Sequence, residues 1–151
     1  MKKFLLMNLF LLVIFSAYSF GAEKPEKVSD VEREAFALRV ELNRIGSSGD
    51  PFEREGILKK IIDLCKGTEE GENAYWDLAD LYLDGFPEEM RKEAVETLER
   101  CLEEYPNSSR AAMTKCKLIN LYDEKDSRRA ELVKQVQNDK TLPAVLRNSI
   151  K

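Results

Sequence analysis

Histidine is absent from the 151 residues. That excludes the Ser-His-Asp and Cys-His catalytic arrangements, an imidazole general base and every zinc site that needs histidine. Cysteine is scarce: Cys65, Cys101 and Cys116 include no Cys-x-x-Cys pair, so a thioredoxin-type redox motif is missing and at most one internal disulfide can form. A basic block is also lacking. The 24 Lys and Arg are mixed among 28 Asp and Glu, so no face gathers the cations that neutralise phosphates, and neither nucleic acid nor an anionic membrane surface is expected as a partner. No stretch alternates apolar and polar residues or concentrates β-branched ones, which argues against strands. No EF-hand loop surrounds the acidic residues. Asp77, Asp80 and Asp84 recur along one helical side, where carboxylates stand in a row rather than around an ion, and they read as a solvated acidic face. The pairs Glu69-Glu70, Glu88-Glu89 and Glu103-Glu104 fall near helix ends on polar faces, without the convergence a glycosidase requires. No catalytic residue, metal or cofactor is expected.

What is present begins with a three-part N-terminus. Met1-Lys2-Lys3 is basic, Phe4 to Phe15 is apolar apart from Asn8, and the small residues Ser16, Ala17, Ser19, Gly21 and Ala22 follow. This is the order of a cleavable secretory signal. Cleavage after Gly21 places Ser19 at the −3 position, and cleavage after Ser19 places Ala17 there; both suit. The competing reading is an uncleaved anchor, which needs ~17–25 apolar residues, more than this core supplies. Residues 1–22 are thus expected to be a signal peptide and 23–28 a charged, Pro-containing flexible leader. A periplasmic or secreted location follows, without membrane insertion after cleavage. Removing Lys2 and Lys3 leaves 22 basic against 28 acidic residues, a formal charge near −6.

From residue 29 the period is helical. Ser29-Asp30-Val31-Glu32 is a capping box, and Val31, Ala35, Leu38, Leu42 and Ile45 share one face until Gly46-Ser47-Ser48-Gly49. Asp50-Pro51-Phe52-Glu53 starts a second helix, with Ile57, Leu58, Ile61, Ile62 and Cys65 as its buried stripe and Gly67 as its stop. A third helix is expected from about Glu72 to Leu83. A fourth starts near Pro87, with Met90, Ala94, Leu98, Cys101, Leu102 and Tyr105 on one face. A fifth spans Arg110 to Tyr122, a sixth Ser127 to about Asn138, and Thr141-Leu142-Pro143 caps a short last one carrying Val145, Leu146 and Ile150. Seven short helices joined by short turns describe an all-α antiparallel array.

Two of these helices resemble one tetratricopeptide repeat. The first helix of that repeat reads here Tyr75-x-x-Leu78-Ala79-x-x-Tyr82, and the second reads Ala94-x-x-x-Leu98-x-x-Cys101-x-x-x-x-Pro106. The intervening turn through Asp84-Gly85-Phe86-Pro87 is about three residues longer than usual, as in the related Sel1-like repeats. Tyr105-Pro106-Asn107-Ser108, Ala111-Ala112, Leu118 and Tyr122 resemble a further repeat of the kind found in bacterial cell-envelope proteins, with Ile119 in place of the usual small residue. Leu58-x-x-x-Ile62-x-x-Cys65 parallels Ala94, Leu98 and Cys101.

The resemblance implies antiparallel helical hairpins in a right-handed superhelical, tetratricopeptide-like array over residues 29–151. It also implies a non-catalytic protein–protein interaction module, a monomer serving as adaptor in a larger envelope complex, with a polypeptide partner. In such an array the first helices of the hairpins line the groove. With Tyr75 packed, Asn73, Trp76, Asp80, Leu83 and Asp84 are the candidate partner-binding residues. Trp76, the sole tryptophan, is either a groove anchor or a filler against the first hairpin. Cys65 and Cys101 take the small-residue position of a second helix, which favours packing; the other reading is a Cys101–Cys116 disulfide. The alternative function is a small secreted protein with a thiol, redox or other enzymatic role, which requires a low-pKa thiol or a convergent acidic pocket. Export predicts that the protein recovered from the envelope has an intact mass about 2 kDa below that of the full chain, from loss of roughly 20 residues. A full-length species extracted from membrane would restore the anchor.

Overall fold

The computed structural model describes residues 29–86 and 90–150. The expected signal and leader, residues 1–28, lie outside them, as do Pro87, Glu88 and Glu89. The described residues are all-α, without a strand, and none of their helices is long and apolar enough to cross a membrane.

Helix α1 (Asp30–Ile45) ends at Gly46, whose φ of 72° is in the left-handed region that glycine enters without steric cost. Helix α2 (Pro51–Leu64) is capped by Asp50, whose carboxylate accepts from the Phe52 N–H at 3.0 Å, with Pro51 in the first turn. Helix α3 (Glu69–Asp80) starts three residues before the expected Glu72, because Thr68 supplies the cap: its hydroxyl accepts from the Gly71 N–H at 3.3 Å. Glu69, Glu70 and Glu72 then place negative charge in the first turn, where the helix dipole favours it. A π-helical turn, Leu81–Gly85, closes this segment. Helix α4 (Arg91–Glu104) starts later than the expected Pro87, and the Met90 N–H donates back across the turn to the Tyr82 carbonyl at 2.9 Å. Helices α5 (Ala111–Leu121), α6 (Ser127–Asn138, capped by Asp126) and α7 (Ala144–Ser149) complete the chain.

Hydrogen bonds between elements fix their directions. Tyr82, in the turn after α3, donates its hydroxyl to Glu55 at the start of α2, at 2.7 Å, so α2 and α3 are antiparallel. Tyr75 donates to Glu104 at 3.3 Å while Tyr82 meets Met90, so α3 and α4 are antiparallel. Arg91 donates from the start of α4 to the Leu121 carbonyl at the end of α5, at 2.8 Å. Arg129 donates from the start of α6 to the Ile119 carbonyl at 3.2 Å. From α2 to α6 each neighbour thus reverses the last. Helices α3 and α5, two elements apart, run parallel: Ser108 pairs with Glu72, Arg110 with Asn73 and Lys117 with Asp80.

The core forms where the apolar stripes meet. Ile57, Leu58, Ile61 and Ile62 of α2 pack with Ala74, Tyr75 and Leu78 of α3 and with Ala94 and Cys101 of α4. A second cluster joins Ala79, Leu98, Leu118 and Tyr122. Helix α4 packs on both α3 and α5, and Leu98 at its centre is 0% exposed. Small residues let α3 approach its neighbours closely. A Cβ added at Gly71 would collide with the Cys65 carbonyl oxygen and lie 2.6 Å from the Tyr105 hydroxyl. Helix α1 is different. Only Ala35 of its stripe is buried. Leu38, Leu42 and Ile45 are half-buried against the core, whereas Val31, expected inside, is 48% exposed at the helix's first turn.

Leu98→Ala should therefore destabilise the chain by about 2–5 kcal/mol through lost transfer energy and the residual cavity. Gly71→Ala, normally stabilising in a helix, should instead cost about 1–3 kcal/mol from overpacking. Denaturant titration measures both, and a Leu98→Ala change under about 1 kcal/mol would contradict this packing.

Candidate functional site

Helix α3 carries the five candidate groove residues with its terminal turn, and its two flanks divide them. On the α5 side, Arg110 donates to the Asn73 side-chain oxygen and Lys117 forms an ion pair with Asp80. The Lys117 ammonium also stands 4.8 Å from the centre of the Trp76 ring, a cation–π distance. Trp76 is half-buried and packs against the core, and its indole N–H is buried without a protein acceptor among the described residues. It shares features of both expected roles: its inner part fills the bundle and its outer face lies under a lysine. Leu83 is half-buried against the same core, and Asp84 is exposed.

On the α1 side, a groove of about 450 Å³ runs between α1 and α3. Asp77, Asp80 and Asp84 line one wall, Arg39, Leu42 and Asn43 the other, and Arg54 reaches in from α2. Asn73 and Trp76 are not in its lining. Arg39 bridges the two walls, donating to Glu70 and, at 2.6 Å, to Asp77. The Arg54 guanidinium donates to the Ser47 carbonyl at 3.3 Å, and its Nε is buried without a partner among the described residues. The groove is thus lined by a row of carboxylates with Arg39 as its crossing cation.

Sequence reasoning does not single out the cations Arg39, Arg110 and Lys117. A signal for them exists in the spacing. Arg110 and Lys117 are seven residues apart, as are their partners Asn73 and Asp80, and both pairs are separated by 37 residues.

Among the described residues no three Cys, Asp or Glu side chains converge as a metal site. Cys65, Cys101 and Cys116 are all free, so no Cys101–Cys116 bridge is formed in this structure. Burial pushes every thiol up from its ordinary range, Cys101 furthest, to about 12, with the Glu72 and Glu104 charges adding to the effect. No family model matches the chain, and no curated protein or solved structure matches it.

The raised values give an alkaline prediction. Burial holds the protons of Cys101 and Tyr105 up to about 12 in the folded chain. The unfolded chain releases them near the ordinary ~8.5 for Cys and ~10 for Tyr. Over that interval the folded state binds more protons, so stability falls as pH rises. Denaturant midpoints should be flat across neutral pH and decline above about pH 9, and the thiols should resist labelling until the chain unfolds. Rapid labelling of Cys101 in the native protein would contradict this.

Proposed function

We propose that the chain is a non-catalytic polypeptide-binding module of tetratricopeptide type, acting in the periplasm or as a secreted protein, as a monomeric adaptor within a larger envelope complex. The observation that carries the reading is register. Cross-helix bonds linking α3 to α5 and the turn before it join residues 36, 37 and 37 apart, and Arg39 of α1 reaches Glu70 and Asp77 of α3, 31 and 38 residues away, which bracket that spacing. A tetratricopeptide repeat has a period of about 34 residues, and a turn some three residues longer makes about 37. The alternation of antiparallel neighbours with parallel α3 and α5 fits stacked hairpins whose first helices are α1, α3 and α5. Ala79 and Ala94, fully buried, stand where hairpin backbones must come together.

In that arrangement the first-helix face is the α3 surface with its flanks, and the row Asp77, Asp80 and Asp84 favours a partner segment carrying Lys or Arg. Asp80 and Asp77 are already paired within the chain, so a cationic segment would exchange with Lys117 and Arg39 for the same carboxylates. Asp84, exposed, is the first available contact. Thiol chemistry is the weaker reading, because a nucleophilic cysteine needs a lowered pKa and all three here are raised.

Affinity capture from an envelope fraction with the tagged full chain tests the proposal. Asp80→Lys combined with Asp84→Lys should weaken capture of the bound polypeptide at least about tenfold, in line with reversing charges at an interface, and should lower the melting temperature only modestly, because Asp80→Lys turns the partly exposed ion pair with Lys117 into a repulsion. Undiminished capture by the double variant would remove the acidic face from the interaction.

A further inference from the structure

A second surface shares no residue with the acidic groove. Between α4, α5 and α6 lies a trough of about 710 Å³. Leu118 and Tyr122 of the α5 segment form its base and are buried, while Leu102 of α4 and Leu132 of α6 stand half-buried on its walls. Helices α4 and α6 both pack on α5 and meet across it through the Arg128–Glu99 ion pair at 2.7 Å; beyond that pair no described element covers the apolar strip.

The rim is charged, and its charges do not balance. Arg128 is committed to Glu99, at 2.7 Å, and to Asp126, at 2.8 Å. Tyr122 donates its hydroxyl to the same Glu99 and lies under the Arg128 guanidinium at 4.6 Å. Glu103 on α4 and Glu131 on α6 are exposed and make no ion pair with a described residue. An apolar floor is therefore flanked on both walls by an uncompensated carboxylate.

From this we infer that the α4–α5–α6 trough is a docking surface for an amphipathic helix of a partner protein, with leucine-type side chains on one face and Lys or Arg along both edges. The floor selects for apolar anchors, because Leu102 and Leu132 have apolar area still exposed to water. The rim selects for cations at the edges, opposite Glu103 and Glu131. The walls select for a helix. Apart from Tyr122, in the turn after α5, the residues lining the trough are helical, so an extended segment would find no sheet edge to pair with and would bury bare N–H and C=O groups against leucines. A helix satisfies its own backbone and presents anchors three and four residues apart along a groove.

The probe is a fluorescein-labelled 16-residue peptide with Leu at helix-face spacing and Lys elsewhere, measured by anisotropy with the full chain. A scrambled peptide of the same composition, unable to gather its leucines on one face, serves as comparison. The amphipathic peptide should bind at least tenfold more tightly than the scrambled one. Glu103→Lys combined with Glu131→Lys should weaken it at least tenfold, without lowering the melting temperature because both side chains are exposed. Glu34→Lys combined with Glu41→Lys makes the same charge change on exposed positions of α1 and should leave binding within twofold. Equal binding of the two peptides, an equal loss from the α1 variant, or no binding of the amphipathic peptide would overturn the assignment.

Discussion

Helix α3 has 12 residues and packs against α2 and α4 while its side chains also meet those of α5 and α1. This is possible because the positions that meet other backbones are small. Gly71 accommodates the Cys65 carbonyl and the Tyr105 hydroxyl, and Ala74 and Ala79 are fully buried. Close approach raises the number of dispersion contacts each neighbouring side chain makes. It also brings polar groups within reach across the seams. Tyr105 accepts from the Gly67 N–H at 2.9 Å, and Glu104 accepts from the same N–H at 3.2 Å and from Tyr75 at 3.3 Å. The C-terminal end of α4 is thereby tied to the turn that starts α3, and Glu72, though buried, is matched by the Ser108 hydroxyl. Both candidate surfaces inherit their shape from this packing: the acidic groove is one flank of α3, and the leucine trough follows from how α5 is set beside α4.

Much of this was legible in the sequence because helical period and caps report burial directly. The stripes Ile57, Leu58, Ile61, Ile62 and Ala94, Leu98, Cys101 emerge as core, since an apolar residue every three or four positions has one face to hide. The start of α3 was missed for an identifiable reason. Gly67 and Gly71 bracket Thr68, and glycine weakens a helical reading, yet Gly67 supplies a left-handed turn with φ of 76° and Gly71 a close approach. The tertiary need outweighed the propensity. Val31 shares the stripe of α1, but a stripe does not tell whether a neighbour extends far enough to cover its first turn.

The candidate site was legible in its residue types and less so in its connections. The sequence marks Asn73, Trp76 and Asp80 as sharing a side of α3, and all three indeed meet α5. It does not disclose that Arg110 and Lys117 answer them, because ion pairing between helices two elements apart depends on register, and register depends on turn length. The π-helical turn at Leu81–Gly85 lies within the connection from α3 to α5. Trp76 illustrates the limit. A half-buried indole capped by Lys117 serves packing and surface together, and no one-dimensional pattern separates those roles.

Helix α1 stands outside the tight packing that α3 organises. It contributes half-buried side chains and the Arg39 bridge, whose partly exposed pairs each add modest stability, and it leaves Phe36 71% exposed. The chain therefore divides into a firmly packed centre and a loosely docked first helix. Native-state amide hydrogen exchange measures that division residue by residue. The slowest exchange should be in α3 and α4, with α1 amides opening about a hundredfold or more faster in a sub-global step. Protection of α1 equal to that of α3 would contradict it.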